Sequence, residues 1–113
     1  MEIKKFHIYL ADLNPRMGTE PGKIRPVAVV QTDLLNNKHP STIVCPLTTN
    51  VIYESDVLRV HVSHKESSLK EDSDILVDQI RAIDNRRFKK YLGTLNANHR
   101  SQLIENLNAL VLE

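Results

Sequence analysis

Polar side chains that could take part in chemistry occur where predicted strands begin or end. Arg25 stands directly before Pro26, and a proline disfavours the α region for the residue that precedes it. We therefore expect Arg25 to be held in an extended conformation at the mouth of a strand. The polar residues at the other predicted strand ends are Thr48, Thr49, Asp78 and Gln79.

This set of side chains suits a phosphodiester substrate, provided that the strand ends lie close together. A guanidinium can stabilise an anionic phosphorane, a hydroxyl can contact a nonbridging phosphate oxygen, and an amide can bind the edge of a base. An ordinary turn with a surface ion pair would contain the same residue types. The residues alone leave both interpretations open.

The elements that must position these residues are mostly short strands. Alternating or valine-rich apolar runs predict strands in KKFHIYLAD, RPVAVVQT, TIVCPLTT and VLRVHVS. DILVDQIRAID is expected to form a strand pair or a strand with a bend, and RFKKYLGTL is also expected to be extended. The first of these segments has the alternation of a half-buried strand. Pro46 lies inside the third segment and has no backbone N–H to donate. We therefore expect that strand to lie at a sheet edge or to end its pairing at Pro46.

One helix is predicted at the C-terminal end, with Asn96 as its N-cap. The apolar residues on one face of this helix are Leu103, Ile104, Leu107, Leu110 and Val111. Several short strands and a single helix indicate a compact, mainly antiparallel, barrel-like α+β fold. We expect it to form one domain over residues 1–113.

Composition argues against several classes of protein. The single cysteine, Cys45, excludes an internal disulfide framework and fits a reducing cytoplasm. His7 and Asp12 interrupt the apolar residues near the N-terminus, so neither a signal peptide nor a membrane-spanning run is predicted. The five histidines are scattered, which argues against a metal site, and no nucleotide-binding fingerprint occurs. With two phenylalanines, three tyrosines and no tryptophan, an aromatic platform for stacking bases would be thin.

Charge is unevenly distributed along the chain, although the net charge is only +1. Residues 54–78 carry seven acidic and three basic side chains, whereas residues 81–100 carry six basic side chains and Asp84. The first 25 residues are also rich in lysine and arginine. If the two basic stretches meet in space, they could attract phosphates; otherwise they form a solvated basic face.

The order of segments along nearly the whole chain resembles the MazF/PemK toxins, the mRNA interferases of bacterial toxin–antitoxin modules. A strand ending in ADLNP is followed by GTE, RPVAVV, VCPLTT, DQIRAID and a C-terminal helix, with similar spacings. The resemblance implies a twisted, mainly antiparallel SH3-like barrel sheet, similar to that of the CcdB gyrase poisons. It also implies a homodimer that cleaves single-stranded RNA without a metal or other cofactor. The expected products carry 2′,3′-cyclic phosphate and 5′-hydroxyl ends.

The resemblance also assigns roles to individual residues. Arg25 matches the arginine of the family's RP motif, Thr48 the catalytic threonine after the third strand, and Glu20 the glutamate of the GTE loop. These three are the expected catalytic residues. The residues expected to bind RNA are Thr19, Lys23, Thr49, Asp78 and Gln79.

Proton transfer is less well defined than charge stabilisation. Arginine stays protonated in almost any environment, so Arg25 is expected to stabilise charge rather than to act as a base. Glu20 or Asp78 could take the proton of the attacking 2′-hydroxyl, and the sequence does not choose between them. Some relatives carry a catalytic arginine where this chain has Leu76, and this difference places the phosphate role on Arg25.

Two other classes of function stay open at this point. A gyrase poison would share the fold but act through a protein surface, and a noncatalytic module would bind RNA without cleaving it. For an interferase, we expect a cognate antitoxin protein, a cytoplasmic location and no contact with a membrane. Acidic or amphipathic segments that fold on binding are the partners that suit a basic groove.

Overall fold

An antiparallel sheet with one helix behind it accounts for the part of the chain that the computed structural model describes, residues 1–15, 18–19, 23–55 and 57–113. The strands are β1 (His7–Asp12), β2 (Ile24–Val29), β3 (Ser41–Thr48), β4 (Arg59–Val62), β5 (Ser73–Leu76), β6 (Arg81–Asp84) and β7 (Phe88–Thr94). The helix α1 spans Ala97–Leu107 and continues into a π-helical turn at Asn108–Leu112. Short 3₁₀ turns lie at His64–Glu66, Val77–Gln79 and Asn85–Arg87. The mainly antiparallel α+β prediction is confirmed.

The strands follow the order β4-β5-β3-β2-β1-β7, and β6 also pairs with β3. Residues 41–44 of β3 pair with β6, whereas residues 47–48 pair with β5. The sheet therefore divides along β3, and the two parts curve around the interior. At its C-terminal end β3 therefore pairs with β5 on one side, and β2 lies on the other side of β3.

Pro46 lies at the point where β3 changes partners. Of the two predicted alternatives, the edge strand is wrong, because β3 is central and Pro46 itself is opposite Val27 of β2. The interruption of pairing at Pro46 is found on one side of β3 only. On the other side of β3, the pairing with β6 ends at Val44 and the pairing with β5 begins at Leu47. Pro46, which has no N–H to donate, therefore lies in the gap between the β3–β6 and β3–β5 pairings, where no N–H is needed.

The core has two parts, one on each side of the sheet. Alternate residues of one strand enter different parts: Ile8 packs in the first cluster and Tyr9 in the second. The first strand is therefore buried on both faces, and the half-buried alternation predicted for it is wrong. A tyrosine is tolerated in this core because its hydroxyl donates to the carbonyl oxygen of Glu2 and accepts from the N–H of Lys4.

Helix α1 begins as the sequence predicts, with the Asn96 side chain accepting a hydrogen bond from the N–H of His99 at 2.8 Å. Leu103 is fully buried against the sheet, whereas Ile104 is half-exposed. The apolar residues that follow the helix, Leu110, Val111 and Leu112, are also exposed. The predicted apolar face is thus only partly covered within one chain. Across the described ranges, no helix has the length and apolar character required to cross a membrane.

Candidate functional site

A cavity of about 260 Å³ opens where β2 begins and β3 ends, and its polar lining includes three of the predicted site residues. Arg25 contributes from β2, while Thr48 and Thr49 contribute from the end of β3. Extending the β2–β3 register by two residues from Val27 opposite Pro46 places Arg25 opposite Thr48. The pairing of these two strands therefore brings together residues that are far apart in the sequence.

Arg25 is anchored at its guanidinium as well as at its backbone. Its backbone pairs with Ala11 of β1, and its Nη1 donates to the carbonyl oxygen of Leu47 at 3.3 Å. Pro26 follows within the same strand, in register with Leu10. The guanidinium is thus presented from a paired strand beside Thr48, as the Arg25-Pro26 sequence predicts.

The Thr48 hydroxyl is held by the turn that follows it. Its Oγ1 accepts a hydrogen bond from the N–H of Asn50 at 3.1 Å. Because Thr48 is the acceptor in this bond, its own O–H remains available to donate to a substrate oxygen. The Asn50 carbonyl oxygen in turn accepts from Nη1 of Arg59 at 3.0 Å.

A buried carboxylate beneath this turn fixes its conformation. Asp74 lies opposite Thr48 in the β3–β5 pair and is fully buried. Its Oδ2 accepts from Nη1 of Arg59 at 2.8 Å and from the N–H of Ile52 at 3.1 Å, while its Oδ1 contacts Nδ1 of His61 at 2.5 Å. One carboxylate therefore links β4, β5 and the segment after Thr48.

The other predicted RNA-binding residues line a neighbouring cavity of about 390 Å³. Thr19, Asp78 and Gln79 are among its lining residues, together with Leu76 and Arg59. Arg59 connects the two cavities, because it lines this one and also holds the Asn50 carbonyl two residues after Thr48. Asp78 and Gln79 belong to the 3₁₀ turn Val77–Gln79, which redirects the chain between β5 and β6.

The two remaining predicted site residues are Lys23 and Glu20. Lys23 is exposed in the loop before β2, where its N–H donates to Oδ1 of Asn14 at 2.7 Å, and it is not among the described lining residues of either cavity. Glu20 lies outside the described residues. Among the residues that the structure describes around the Arg25–Thr48 cavity, none carries a carboxylate.

The two basic stretches of the sequence are brought together by the pairing of β1 with β7. Nη1 of Arg87 donates to the backbone carbonyl oxygens of Asp12, at 2.9 Å, and of Asn14. Asp12 is in register with Ile24, directly before Arg25. Arg87 of the second basic stretch therefore lies beside the end of β1 that pairs with β2 next to Arg25.

Asp74, Arg59 and Ser73 are site residues that the sequence reasoning missed. Ser73 lines the Arg25–Thr48 cavity, and Asp74 and Arg59 hold the turn beside it. A signal was present in β4, where Arg59 and His61 alternate with the buried Val60 and Val62. Two adjacent basic side chains on one face of a strand require an acidic neighbour when they are partly buried.

This arrangement can stabilise negative charge on a phosphate. Arg25 supplies a permanent positive charge, and Thr48 supplies a hydroxyl donor held in a fixed position. Because Arg25 and Thr48 lie on paired neighbouring strands, their side chains have little conformational freedom to lose when a substrate binds.

Comparisons with known proteins place the chain among bacterial toxins. The family model for PemK-like, MazF-like toxins of type II toxin–antitoxin systems matches residues 4–111. The chain is 38% identical over 108 residues to Endoribonuclease MazF of Staphylococcus epidermidis, covering 96% of this chain and 88% of that protein.

Solved structures share the fold at lower sequence identity. The chain superposes on the crystal structure of MazF (Form-I) from Deinococcus radiodurans with a TM-score of 0.85 and 21% identity, covering 100% of this chain and 99% of that one. It superposes on the MazE-MazF (Form-II) structure from the same organism with a TM-score of 0.78 and 20% identity, covering 98% and 96%. The CcdB/MazF-type sheet implied by the sequence is therefore confirmed, and this chain belongs to the PemK-like, MazF-like family of toxins of type II toxin–antitoxin systems.

Proposed function

We propose that this protein is a sequence-specific, metal-independent endoribonuclease that cleaves single-stranded RNA as the toxin of a toxin–antitoxin module. The observation that carries the proposal is the juxtaposition of Arg25 and Thr48 in one cavity, at the positions where the family resemblance requires them. Membership of the toxin family and 38% identity to a protein named Endoribonuclease MazF support the same activity.

In the proposed reaction the nucleophile comes from the substrate. The 2′-oxygen of a ribose attacks the adjacent phosphorus, a base removes the 2′-proton, and the bond from phosphorus to the 5′-oxygen of the next nucleotide breaks. The leaving 5′-oxygen gains a proton, so the products carry 2′,3′-cyclic phosphate and 5′-hydroxyl ends. Arg25 and Thr48 stabilise the charge on the nonbridging oxygens of the phosphorane, and Arg25 is also suited to donate a proton to the leaving oxygen.

Two carboxylates are candidates for the general base that removes the 2′-proton, Asp78 and Glu20. Asp78 lines the neighbouring cavity with Thr19 and Gln79, and this position favours contact with substrate bases over proton removal beside Arg25. We therefore favour Glu20 as the base. Glu20→Gln should remove the acidic limb of the pH–rate profile, whereas Asp78→Asn should change KM or base preference and leave that limb in place. The reverse pattern would assign the base to Asp78.

The RNA-contacting surface is proposed to join both cavities. Thr19, Asp78 and Gln79 would hold bases, Thr49 would act beside the scissile phosphate, and Lys23 would contact the RNA backbone from the loop before β2. Each phosphate contacted by a basic side chain should contribute about −0.7 to the slope of log affinity against log salt concentration. A slope of zero would contradict a phosphate-binding groove.

We infer that the protein acts as a homodimer and is neutralised by a cognate antitoxin. The exposed apolar residues Ile104, Val111 and Leu112 give one chain an uncovered apolar surface. One structural neighbour is an endoribonuclease from a mycobacterial species in complex with its cognate antitoxin. Expression of the protein alone in bacteria should arrest growth, and coexpression of the adjacent small open reading frame should relieve the arrest. Unimpaired growth without a partner would contradict this inference.

We infer a cytoplasmic location from the proposed substrate, RNA, and the single cysteine, Cys45, fits a reducing compartment. Burial raises the pKa of the Cys45 thiol to about 12, so that it remains a protonated core side chain.

The activity is tested by incubating the purified protein with a long RNA in the presence of EDTA. Cleavage at discrete sites with 5′-hydroxyl ends is the expected result. Binding without cleavage would instead indicate an RNA-binding module. Inhibition of supercoiling in a gyrase assay, with the RNA intact, would indicate a gyrase poison.

A further inference from the structure

Tyr53 is an aromatic side chain on the surface beside the proposed active site. It lies in the segment that follows Thr48 and Thr49, and 69% of the residue is exposed. An exposed aromatic ring gains nothing from core packing, and a single one needs no explanation by itself. What distinguishes Tyr53 is that both its ring and its hydroxyl are held.

The ring of Tyr53 stacks on the imidazole of His61, with centroids 5.9 Å apart and planes inclined by 25°. Its hydroxyl donates to Oδ2 of Asp72 at 3.2 Å. The ring is therefore fixed at its inner side and at its tip, while most of its surface still faces solvent. A ring fixed in this way loses little rotational freedom when a ligand stacks on it.

The two supports of Tyr53 are themselves held by other residues. His61 contacts the buried carboxylate of Asp74 through Nδ1 at 2.5 Å. Asp72 accepts from the N–H of His64 at 2.9 Å and from its Nδ1 at 2.7 Å. The hydrogen bond from the His64 backbone, followed by that from its ring, lowers the pKa of Asp72 to about 2, so that the carboxylate is ionised and accepts from Tyr53 at neutral pH.

The ring borders a cavity of about 250 Å³ that adjoins the Arg25–Thr48 cavity. Tyr53, His61 and Asp72 line it on one side, and Asn98 and Gln102 of α1 line it on the other. Ser73 lines both this cavity and the cavity that contains Arg25 and Thr48. A nucleotide next to the scissile phosphate would therefore reach it.

The charge of this cavity favours the base of a nucleotide over its phosphate. Asp72 and Glu66 line it, and their carboxylates repel a phosphate. A nucleobase is uncharged, offers a planar face to Tyr53 and can bond to the amides of Asn98 and Gln102. The cavity is thus suited to a base, and the RNA backbone would lie toward Arg25 in the adjoining cavity.

We propose that Tyr53 is a preorganised stacking platform for one unpaired base of the RNA, adjacent to the scissile phosphate. This inference rests on the proposed function, because it requires an RNA substrate. It also changes the expectation drawn from composition. A chain with few aromatic residues can still stack a base if one ring is held in place beside the reaction site.

The test uses a short single-stranded RNA that spans a mapped cleavage site and carries a 2′-O-methyl group at the cleaved nucleotide, so that it binds without reacting. Tyr53→Ala should weaken its binding by about 5- to 150-fold, the range expected for loss of one base–aromatic stack. Tyr53→Phe keeps the ring and should retain most of the affinity. Tyr91→Ala is the matched control, since Tyr91 is also half-exposed but lies on β7.

Two further readouts separate stacking from a loss of structure. The salt dependence of binding should keep the same log–log slope in Tyr53→Ala, because no phosphate contact is removed. In a series of RNAs with one abasic nucleotide each, one position should weaken binding to the wild type but not to Tyr53→Ala. That position identifies the stacked base.

The outcomes distinguish this inference from the proposed function. If the wild type cleaves RNA and Tyr53→Ala binds it as tightly as the Tyr91→Ala control, the stacking proposal is overturned and the nuclease assignment stands. If all abasic positions affect wild type and variant equally, the proposal is also overturned. If the wild type neither binds nor cleaves RNA, the proposed function fails, and the stacking platform fails with it.

Discussion

Replacement of Asp74 by asparagine should both destabilise the protein and slow RNA cleavage. Asparagine has nearly the same shape as aspartate but carries no charge, so Arg59 loses its buried counterion. Breaking a buried ion pair by removing one partner costs 3–5 kcal/mol as a rule of thumb, and about 3 kcal/mol is expected here. The lower end applies because the Arg59 and His61 side chains are 20% and 30% exposed and can be partly solvated.

For a chain of 113 residues, a loss of that size corresponds to a fall in Tm of roughly 12 °C. Thermal unfolding followed by circular dichroism, at a fixed protein concentration, measures the change. Asp84→Asn is the matched control, because Asp84 also pairs with an arginine, at 2.9 Å to Arg86, but at the surface. The control should melt close to the wild type.

The same variant should lose activity below its melting temperature. Asp74 accepts the N–H of Ile52 and orients Arg59 toward the Asn50 carbonyl, and Asn50 in turn positions the Thr48 hydroxyl. Single-turnover cleavage at one common temperature, 20 °C below the Tm of the least stable variant, should therefore be slower for Asp74→Asn than for Asp84→Asn. A Tm within 2 °C of the wild type, or equal cleavage rates for the two variants, would refute this reasoning.

Two other predictions concern pH and assembly. Burial lowers the pKa of His99, so the folded protein binds this proton less readily than the unfolded chain, whose histidine titrates near 6.5. The contribution of His99 to stability should therefore be complete above pH 6.5 and decrease as the pH falls toward the depressed pKa. In urea titrations between pH 7.5 and 5.5, the free energy of unfolding should decrease less steeply with falling pH for His99→Gln than for the wild type. An unchanged slope in that variant would contradict the assignment. Light scattering at micromolar concentration should give a dimer, and Ile104→Glu, which places a charge on the half-exposed apolar surface, should shift it toward monomer. A wild-type monomer at that concentration would count against the dimer.

The sequence predicted the parts of the site that depend on local chemistry and strand order. Arg25 could be placed at a strand mouth because Pro26 restricts its backbone, and Thr48 could be placed near it because both lie at strand ends. The structure brings them into one cavity through the β2–β3 register. The C-terminal helix was predicted from its cap, and that cap is present at Asn96.

The parts that were missed depend on partners distant in the sequence. Asp74 stands at the start of a predicted strand, directly after an acidic stretch, and only the pairing of β4 with β5 shows that it is buried opposite His61. Pro46 suggested an edge strand, because the sequence does not reveal that β3 changes partners at that residue. Tyr53 lay in a segment without periodicity, and its role follows from contacts with His61 and Asp72.

The most direct test of the proposed mechanism is single-turnover cleavage of a short RNA by Arg25→Ala, with analysis of the product ends. Loss of one preorganised donor to the phosphorane should slow cleavage by about 10²- to 10³-fold. Arg25→Lys should recover little, because an ammonium does not reproduce the two-pronged guanidinium. The Tm should stay close to that of the wild type, since Arg25 lies at the cavity rather than in the core. Cleavage at the wild-type rate, or products with 5′-phosphate ends, would contradict the assignment of Arg25.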